Sequence, residues 1–349
     1  MRFSIVLRER TEEGNRVRDF TAVISLLQKA DTWILISHEK PDGDTLGSAA
    51  ALAVVAEALG KRWRWVGKDP IPSSLTFLPF SAAYETMKSL PEEVLEEDGA
   101  LCLVVVDTST PERALVPLAT YEGKAPLIVL DHHGDNSGYG ALSIVDSSAA
   151  AVGEMILDLF EQAVEWPFPL DAAEALYTAI ATDTGNFSYE NTTERTFLAA
   201  AKLVARGVLP SKISERVHSS NTEEGLRLWG LALSRIVSFA NGQVACTFLR
   251  DEDFIASGCE RSNLEGLVNE LFRIRNVTFA VLLSEQDGQT HASLRSRGAV
   301  PAQPIARSWG GGGHPQAAAF RVPVPLEEVL KKLGSQLEDL YETGNSRFE

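Results

Sequence analysis

Leu127-Ile128-Val129-Leu130-Asp131-His132-His133 is the stretch whose reading decides the fold. Four apolar residues in a row, with no polar alternation, describe a strand buried on both faces. A carboxylate and two imidazoles directly after it are hard to justify as packing. Outward from this segment, Leu101–Val106 repeats the pattern and ends at Asp107-Thr108-Ser109. Trp33–Ser37 is a shorter apolar run that leads into His38-Glu39-Lys40-Pro41-Asp42-Gly43-Asp44, and Arg64–Gly67 reads as a further strand. Leu46–Leu59, closed by Gly60, reads as a helix. So do Ala149–Phe160, Ala172–Thr182 (which runs into Asp183-Thr184-Gly185) and Thr193–Arg206, with Gly207 as its C-cap. The alternation predicts an α/β fold with a doubly wound, mainly parallel sheet. Ligands of such sheets sit at the carboxyl ends of the strands, and His38, Asp42, Asp107 and Asp131 all fall where a strand has just ended.

The second part of the chain has a different grammar. Val208–Glu224 is polar and mixed and reads as a linker, which gives domains over 1–207 and 225–349. Asn241-Gly242 between Ile236–Phe239 and Val244–Leu249 is a hairpin signal, as is Asp287-Gly288 between Thr278–Ser284 and His291–Arg297. Leu264–Arg273 and Leu326–Tyr341 read as helices, so a smaller α/β domain is expected.

Acidic residues outnumber basic ones 48 to 32, a net charge of −16, and such a field repels long polyanions. A small phosphorylated substrate is expected rather than duplex DNA. Cys102, Cys246 and Cys259 are odd in number and widely spaced, which fits reduced thiols in a cytoplasmic protein. The first residues lack a signal peptide's apolar core, and no uninterrupted apolar stretch is long enough to span a membrane.

His38, Asp42 and Asp44 lie close together on an expected loop, where Pro41 and Gly43 supply a turn. Taken alone, this tetrapeptide also reads as a surface turn. A carboxylate at Asp107 would be half buried and needs a partner, although Asp107-Thr108-Ser109-Thr110-Pro111-Glu112 is also a capping sequence. Asp183 reads equally as a cap before Gly185. The collected donors are carboxylates and imidazoles with no thiol, the inventory of a two-metal phosphoester-cleaving site. His218 and His291 lack such company and read as ordinary surface or strand residues. Gly310-Gly311-Gly312-Gly313-His314 is either a flexible linker or a loop that lets backbone N–H groups approach an anion, with a following helix adding its positive end. Ser293, Arg295 and Arg297 alternate on one face of a predicted strand, suited to bidentate phosphate recognition or to a solvated edge.

Together these residues resemble the DHH phosphoesterase superfamily, and the Gly310–His314 segment resembles the DHH-associated domain that accompanies it. The resemblance covers roughly residues 20–342. The two-domain layout looks like the bacterial nanoRNase/pAp-phosphatase branch. The resemblance implies an active site in the interdomain cleft and two divalent cations, Mn²⁺ first, with Mg²⁺ or Co²⁺ as alternatives. It assigns His38 and Asp42 to one cation, Asp44, His132 and Asp183 to the other, and Asp107 as the bridge. Asp131 would orient a histidine, and His133 would face the scissile phosphate. Ser293, Arg295, Arg297, Gly310, Gly311, Gly312, Gly313 and His314 would hold the rest of the substrate. The implied reaction is hydrolysis by metal-activated water of di- to pentanucleotides, including pApA, to mononucleotides, and of pAp to AMP. A RecJ-like single-strand exonuclease, a manganese pyrophosphatase or polyphosphatase, and a non-catalytic nucleotide sensor are the alternatives. A homodimer stays open. Relatives commonly have Gly where this chain has Ala319; a methyl there is expected to tighten packing under the glycine loop.

Overall fold

The computed structural model describes residues 18–90, 99–115, 125–218, 222–264, 266–297, 299–313 and 315–343. Two compact units make up the chain, Met1–Ser220 and Asn221–Glu349.

In the first unit, β1 (Thr32–Ile36), β2 (Arg62–Gly67), β3 (Tyr84–Thr86), β4 (Leu101–Val106), β5 (Leu127–Asp131) and β6 (Leu142–Val145) form one sheet in the order β3-β2-β1-β4-β5-β6. Every pairing is parallel. The apolar runs of the sequence resolve into two alternating faces. Trp33, Leu35, Val104, Val106, Ile128 and Leu130 enter one cluster, and Ile34, Ile36, Leu103, Val105, Leu127 and Val129 the other. The strand order reverses between β1 and β4, so the loops after these two strands diverge and leave a crevice at their carboxyl ends.

The helices of this unit are α1 (Thr21–Lys29), α2 (Gly43–Ala58), α3 (Val152–Gln162), α4 (Leu170–Asp183), α5 (Glu194–Ala205) and α6 (Pro210–His218). α2 is buried all round from Gly43 to Ala56, as an apolar helix without a polar face must be. A Cβ at Gly43 would lie 2.2 Å from Thr182 Oγ1, and one at Gly47 would lie 2.5 Å from the Ala175 carbonyl oxygen. Absent side chains one helical turn apart let α2 press directly onto α4. α2 starts at Gly43, earlier than the expected Leu46, because Asp42 caps it by accepting from the Asp44 and Thr45 N–H groups. Asp44 therefore sits in the first helical turn and not on a loop. The polar stretch read as a linker carries α6 and the first residues of α7 (Glu223–Ser234). Its polar residues are the outer side of α6, whose Ile213 and Val217 pack on the core.

The second unit is built on β7 (Val237–Phe239), β8 (Val244–Leu249), β9 (Phe279–Gln286), β10 (Gln289–Ser296), β11 (Gly312–Gly313) and β12 (Ala317–Val322), in the order β11-β12-β10-β9-β8-β7. β8 and β9 run parallel and the other pairs antiparallel. Asp287 (φ 51°) and Gly288 (φ 72°) make the two-residue turn expected between β9 and β10. The Asn241-Gly242 hairpin is present with a longer turn, since Phe239 pairs with Val244 and Ala240 is also left-handed. The helix expected over Leu264–Arg273 shrinks to α9 (Leu267–Glu270) between single 3₁₀ turns, because Gly266 at φ 84° interrupts it. α8 (Asp251–Ser257) precedes it, and α10 (Ala302–Ser308) and α11 (Leu326–Glu342) follow. Val281, Leu283, Leu294 and Phe320 share a core with residues of α10 and α11, while Ala280 and Leu282 on the opposite face meet Leu228 and Leu267.

No helix among the described residues is long and apolar enough to cross a membrane. Cys102 is a small core residue whose thiol burial pushes up to about 12.

Candidate metal centre

Two residues beyond β1, His38 turns into the crevice at the reversal point. Asp107 directly follows β4, Asp131 closes β5, and Asp183 is the last residue of α4. His38, Asp44, Asp107 and Asp131 are all buried. The cap reading of Asp107 does not hold, as no helix starts there. Its backbone is instead left-handed, φ 54°, a strained setting for a non-glycine residue. That setting aims the carboxylate between two imidazoles. Asp107 Oδ2 lies 3.4 Å from His38 Nε2, and its Oδ1 lies 3.4 Å from His132 Nε2.

The donors fall into three groups linked through Asp107 and His132. His38 Nε2 is also 3.7 Å from Asp42 Oδ1. His132 Nε2 is 3.9 Å from Asp44 Oδ2 and 3.7 Å from Asp183 Oδ2. These separations are too long for good hydrogen bonds. They match two ligands on one small cation, which at bonds of about 2.1 Å stand roughly 3–4 Å apart. The sets His38, Asp42 and Asp107; Asp44, His132 and Asp183; and Asp107, His132 and His133 each offer ligand atoms mutually within 4.8 Å, so Asp107 belongs to two of them. The fit of a divalent cation rests on a specific orphan: Asp107 Oδ1 is buried and has no hydrogen-bond partner. An ionised oxygen left so is costly unless a positive charge stands beside it, either a divalent cation or the protonated His132 imidazole at 3.4 Å.

Neighbouring groups prepare these donors. His38 Nδ1 contacts the Glu39 carbonyl at 2.7 Å and His132 Nδ1 the Ala149 carbonyl at 3.1 Å. With Nδ1–H donating in both, Nε2 is left as the ligand atom, the arrangement typical of metal-binding histidines. Asp44 receives the N–H groups of Val152 (2.6 Å) and Gly153 (3.0 Å) at the start of α3, and the Ser48 hydroxyl (3.2 Å). A helix N-terminus is a natural seat for a carboxylate.

Electrostatics report the crowding. Burial disfavours a charged His38, but Asp107 and Asp42 outweigh it and push the imidazole up to about 10. His132 is likewise opposed by burial and raised to about 11 by Asp107, Asp44 and Asp183. Burial and the nearby Asp107 charge raise Asp44 well above the usual carboxylate range. Asp183, chiefly through burial, is pushed up to about 7. Four carboxylates crowded around two imidazoles that hold protons form a charge pattern that divalent cations would relieve.

His133 borders the cluster, with Nδ1 3.6 Å from Asp107 Oδ1, but its hydrogen bond goes elsewhere. Its Nδ1–H donates to Asp131 Oδ1 at 2.8 Å, and this bond is the main cause of its raised pKa. Asp131 also accepts from the His132 backbone N–H (2.9 Å) and the Asn136 side-chain amide (2.6 Å). Asn136 donates in turn to the Thr108 carbonyl at 3.0 Å, tying the Asp107 turn to the β5 turn. Asn191 links the Asp183 and Ala150 carbonyls (3.1 and 3.0 Å). Sequence reasoning missed both asparagines, because Asn136 in Gly134-Asp135-Asn136-Ser137-Gly138 looks like ordinary turn composition.

In the second unit, Ser293 and Arg295 do share the less buried face of β10. Arg297 lies past the strand end, with its guanidinium 4.3 Å from the Phe272 ring centre. Gly310–Gly313 follows α10 and ends as β11, so a helix precedes the glycines and a strand follows them. The expected helix N-terminus is replaced by the free edge of a sheet. Left-handed φ explains Gly310, and a Cβ at Gly311 or Gly313 would strike the Ala319 or Ala317 carbonyl oxygen. A Cβ at Gly312 would meet nothing within 4 Å, and its φ is not left-handed. The fold itself does not require glycine there. Ala319 pairs with Ser293 and Gly312 and is exposed, so its methyl lies on the outer face and not under the loop. His314 lies outside the described residues.

Comparison with known proteins agrees with this geometry. Residues 32–180 match the N-terminal domain of the DHH family, and residues 241–343 match the DHHA1 domain. The chain is 33% identical over 302 residues to the bifunctional oligoribonuclease and PAP phosphatase NrnA of Thermus thermophilus, covering 86% of this chain and 87% of that protein. It is 32% identical to the protein of the same name from Bacillus subtilis, covering 89% and 99%. Among solved structures, an exopolyphosphatase-related protein from Bacteroides fragilis superposes with a TM-score of 0.82 at 23% identity, covering 92% and 96% of the two chains. The chain therefore belongs to the DHH family of phosphoesterases and carries a DHHA1 domain in its second unit.

Proposed function

We propose that this protein hydrolyses short oligoribonucleotides to mononucleotides and removes a phosphate from pAp to give AMP. The observation that carries the reading is Asp107, a strained, buried carboxylate shared by two ligand groups, with one oxygen unpartnered. The relatives named as oligoribonuclease and PAP phosphatase support the substrate class.

In this reading His38, Asp42 and Asp107 hold one divalent cation, and Asp44, Asp107, His132 and Asp183 hold a second, with Mn²⁺ the first candidate. Such ions, when bound, lower the pKa of water and neutralise charge on a phosphoryl group. His133 does the work beside them. Asp131 fixes its Nδ1–H, so its Nε2 is the atom that faces substrate, stabilising the non-bridging oxygens or passing a proton to the leaving group. Asp131 is held by Asn136 and keeps the ring in one tautomer. Ser293, Arg295, Arg297 and the glycine run, with His314, bind the remaining phosphate of the same substrate. Gly312 is compatible with this, since a Cβ there would point into open space on the strand edge.

The test is a manganese-supplemented assay comparing a dinucleotide, pAp, pApA, pyrophosphate and a 20-mer. Rapid hydrolysis of the first three, and slow hydrolysis of the 20-mer, is expected. Pyrophosphate as the preferred substrate, or undiminished cutting of the 20-mer, would overturn the reading.

A further inference from the structure

Beyond Arg295 and the glycine run, the same sheet face carries a second concentration of positive charge. β10 presents Gln289, His291, Ser293 and Arg295 outward, alternating with buried Thr290, Ala292, Leu294 and Ser296. Directly paired residues on neighbouring strands share a face. Arg295 faces Ala317, Ser293 faces Ala319, and His291 faces Arg321. Ala280 and Leu282 of β9 are buried on this face, whereas Ala319 and Arg321 of β12 are exposed. The sheet thus has an open ledge with a cationic row at each end and a small-residue row between. Arg295 and His291 are separated by about 13 Å along the strand, enough to span a dinucleotide.

Arg321 Nη2 donates to the Gln286 side-chain oxygen at 3.2 Å, and Arg321 makes no ion pair among the described residues. Arg261 approaches from the covered half. It lies 3.4 Å over the Phe254 ring and pairs with Asp251, and its Nη1 is buried without a partner. His291 Nε2 is also buried without a partner. Burial, and then the charges of Arg321 and Arg261, depress the His291 pKa against the opposing pull of Asp287. Two guanidiniums near a histidine whose Nε2 has no partner make a surface suited to an anion.

We propose that Arg321 and His291, backed by Arg261, form a second phosphate position, taken by the backbone of a nucleotide beyond the one that Arg295 holds. The inference rests on reading this face as the substrate surface. It assigns the ledge a function in substrate length: a ligand held at Arg295 alone gains nothing from the far row, and one long enough to cover both rows binds more tightly.

Arg321 is exposed and its replacement leaves the core intact, so Arg321→Ala is the variant of choice. Binding of a fluorescent, phosphorothioate-linked pentanucleotide and of pAp is measured by anisotropy on the full-length, manganese-loaded protein across a salt series. The pentanucleotide Kd should rise about tenfold and its salt slope should fall by about 0.7. Binding and hydrolysis of pAp should be unchanged. Unaltered pentanucleotide binding overturns the second position, and so does an equal loss for both ligands, which would mean that Arg321 acts through the fold. A wild-type protein that binds neither ligand overturns the underlying reading and this one with it, a result distinct from a normal wild type with a silent variant.

Discussion

Asp107 combines two demands in one residue: a left-handed backbone and a carboxylate shared between two ligand sets. Asparagine tolerates the same backbone region but lacks the charge. Asp107→Asn should therefore keep its circular dichroism spectrum, lose bound manganese by elemental analysis, and lose turnover by at least about 10³-fold, equivalent to roughly 4 kcal/mol. Retained metal with retained activity would sink the bridging role. The glycine run gives a paired prediction. Gly311→Ala sets a Cβ 2.1 Å from the Ala319 carbonyl and should cost about 1–3 kcal/mol in urea unfolding. Gly312→Ala meets no obstacle and should change stability by less than about 0.5 kcal/mol while raising KM. If KM stays put, glycine at 312 has no part in binding. At this scale the sequence was informative wherever a residue follows an apolar run, as His38, Asp107 and Asp131 do. It was silent on Asn136 and Asn191, whose importance comes from which carbonyls and carboxylates lie opposite them in space.

At the scale of elements, the site depends on how closely α2 and α4 approach. Gly47 meets the Ala175 backbone oxygen, so the helices touch without side chains between them, which brings Asp44 and Asp183 toward the same imidazole. Gly47→Ala forces a backbone shift and should cost about 1–3 kcal/mol. On the proposed partition of ligands the shift acts first on the Asp44–Asp183 set, so manganese titration should show that site weakened more than the one Asp42 serves. Equal weakening of both would argue that α2 moves as a rigid whole. The alternation of strands and helices in the first unit was legible because buried parallel strands leave uninterrupted apolar runs. The broken helix around α9 and the helix α6 were not. In both, a local signal was overridden, by Gly266 in one and by an amphipathic face too short to register in the other.

For the molecule as a whole, the crowded cluster makes stability depend on pH and on metal. Free histidine titrates near 6.5, and His38 and His132 are raised to about 10 and about 11. Their protonated forms stabilise the metal-free fold fully below pH 6.5, and that contribution is lost as pH rises through about 10 to 11. Asp183, raised to about 7, acts in the same direction. The Tm of metal-free protein should fall between pH 6.5 and 10, and manganese should flatten the curve, because bound cations displace those protons. A metal-free Tm that holds level over this range would refute the coupling. Along the sequence, the run-and-helix alternation of the first unit gives way to hairpin signals such as Asp287-Gly288 in the second. The order in which ligands appear along the chain has a consequence for biosynthesis. His38, Asp42 and Asp107 all precede residue 108, whereas the other set waits for His132 and Asp183. On the ribosome, the donors of the first proposed cation seat are all translated while those of the second are still incomplete.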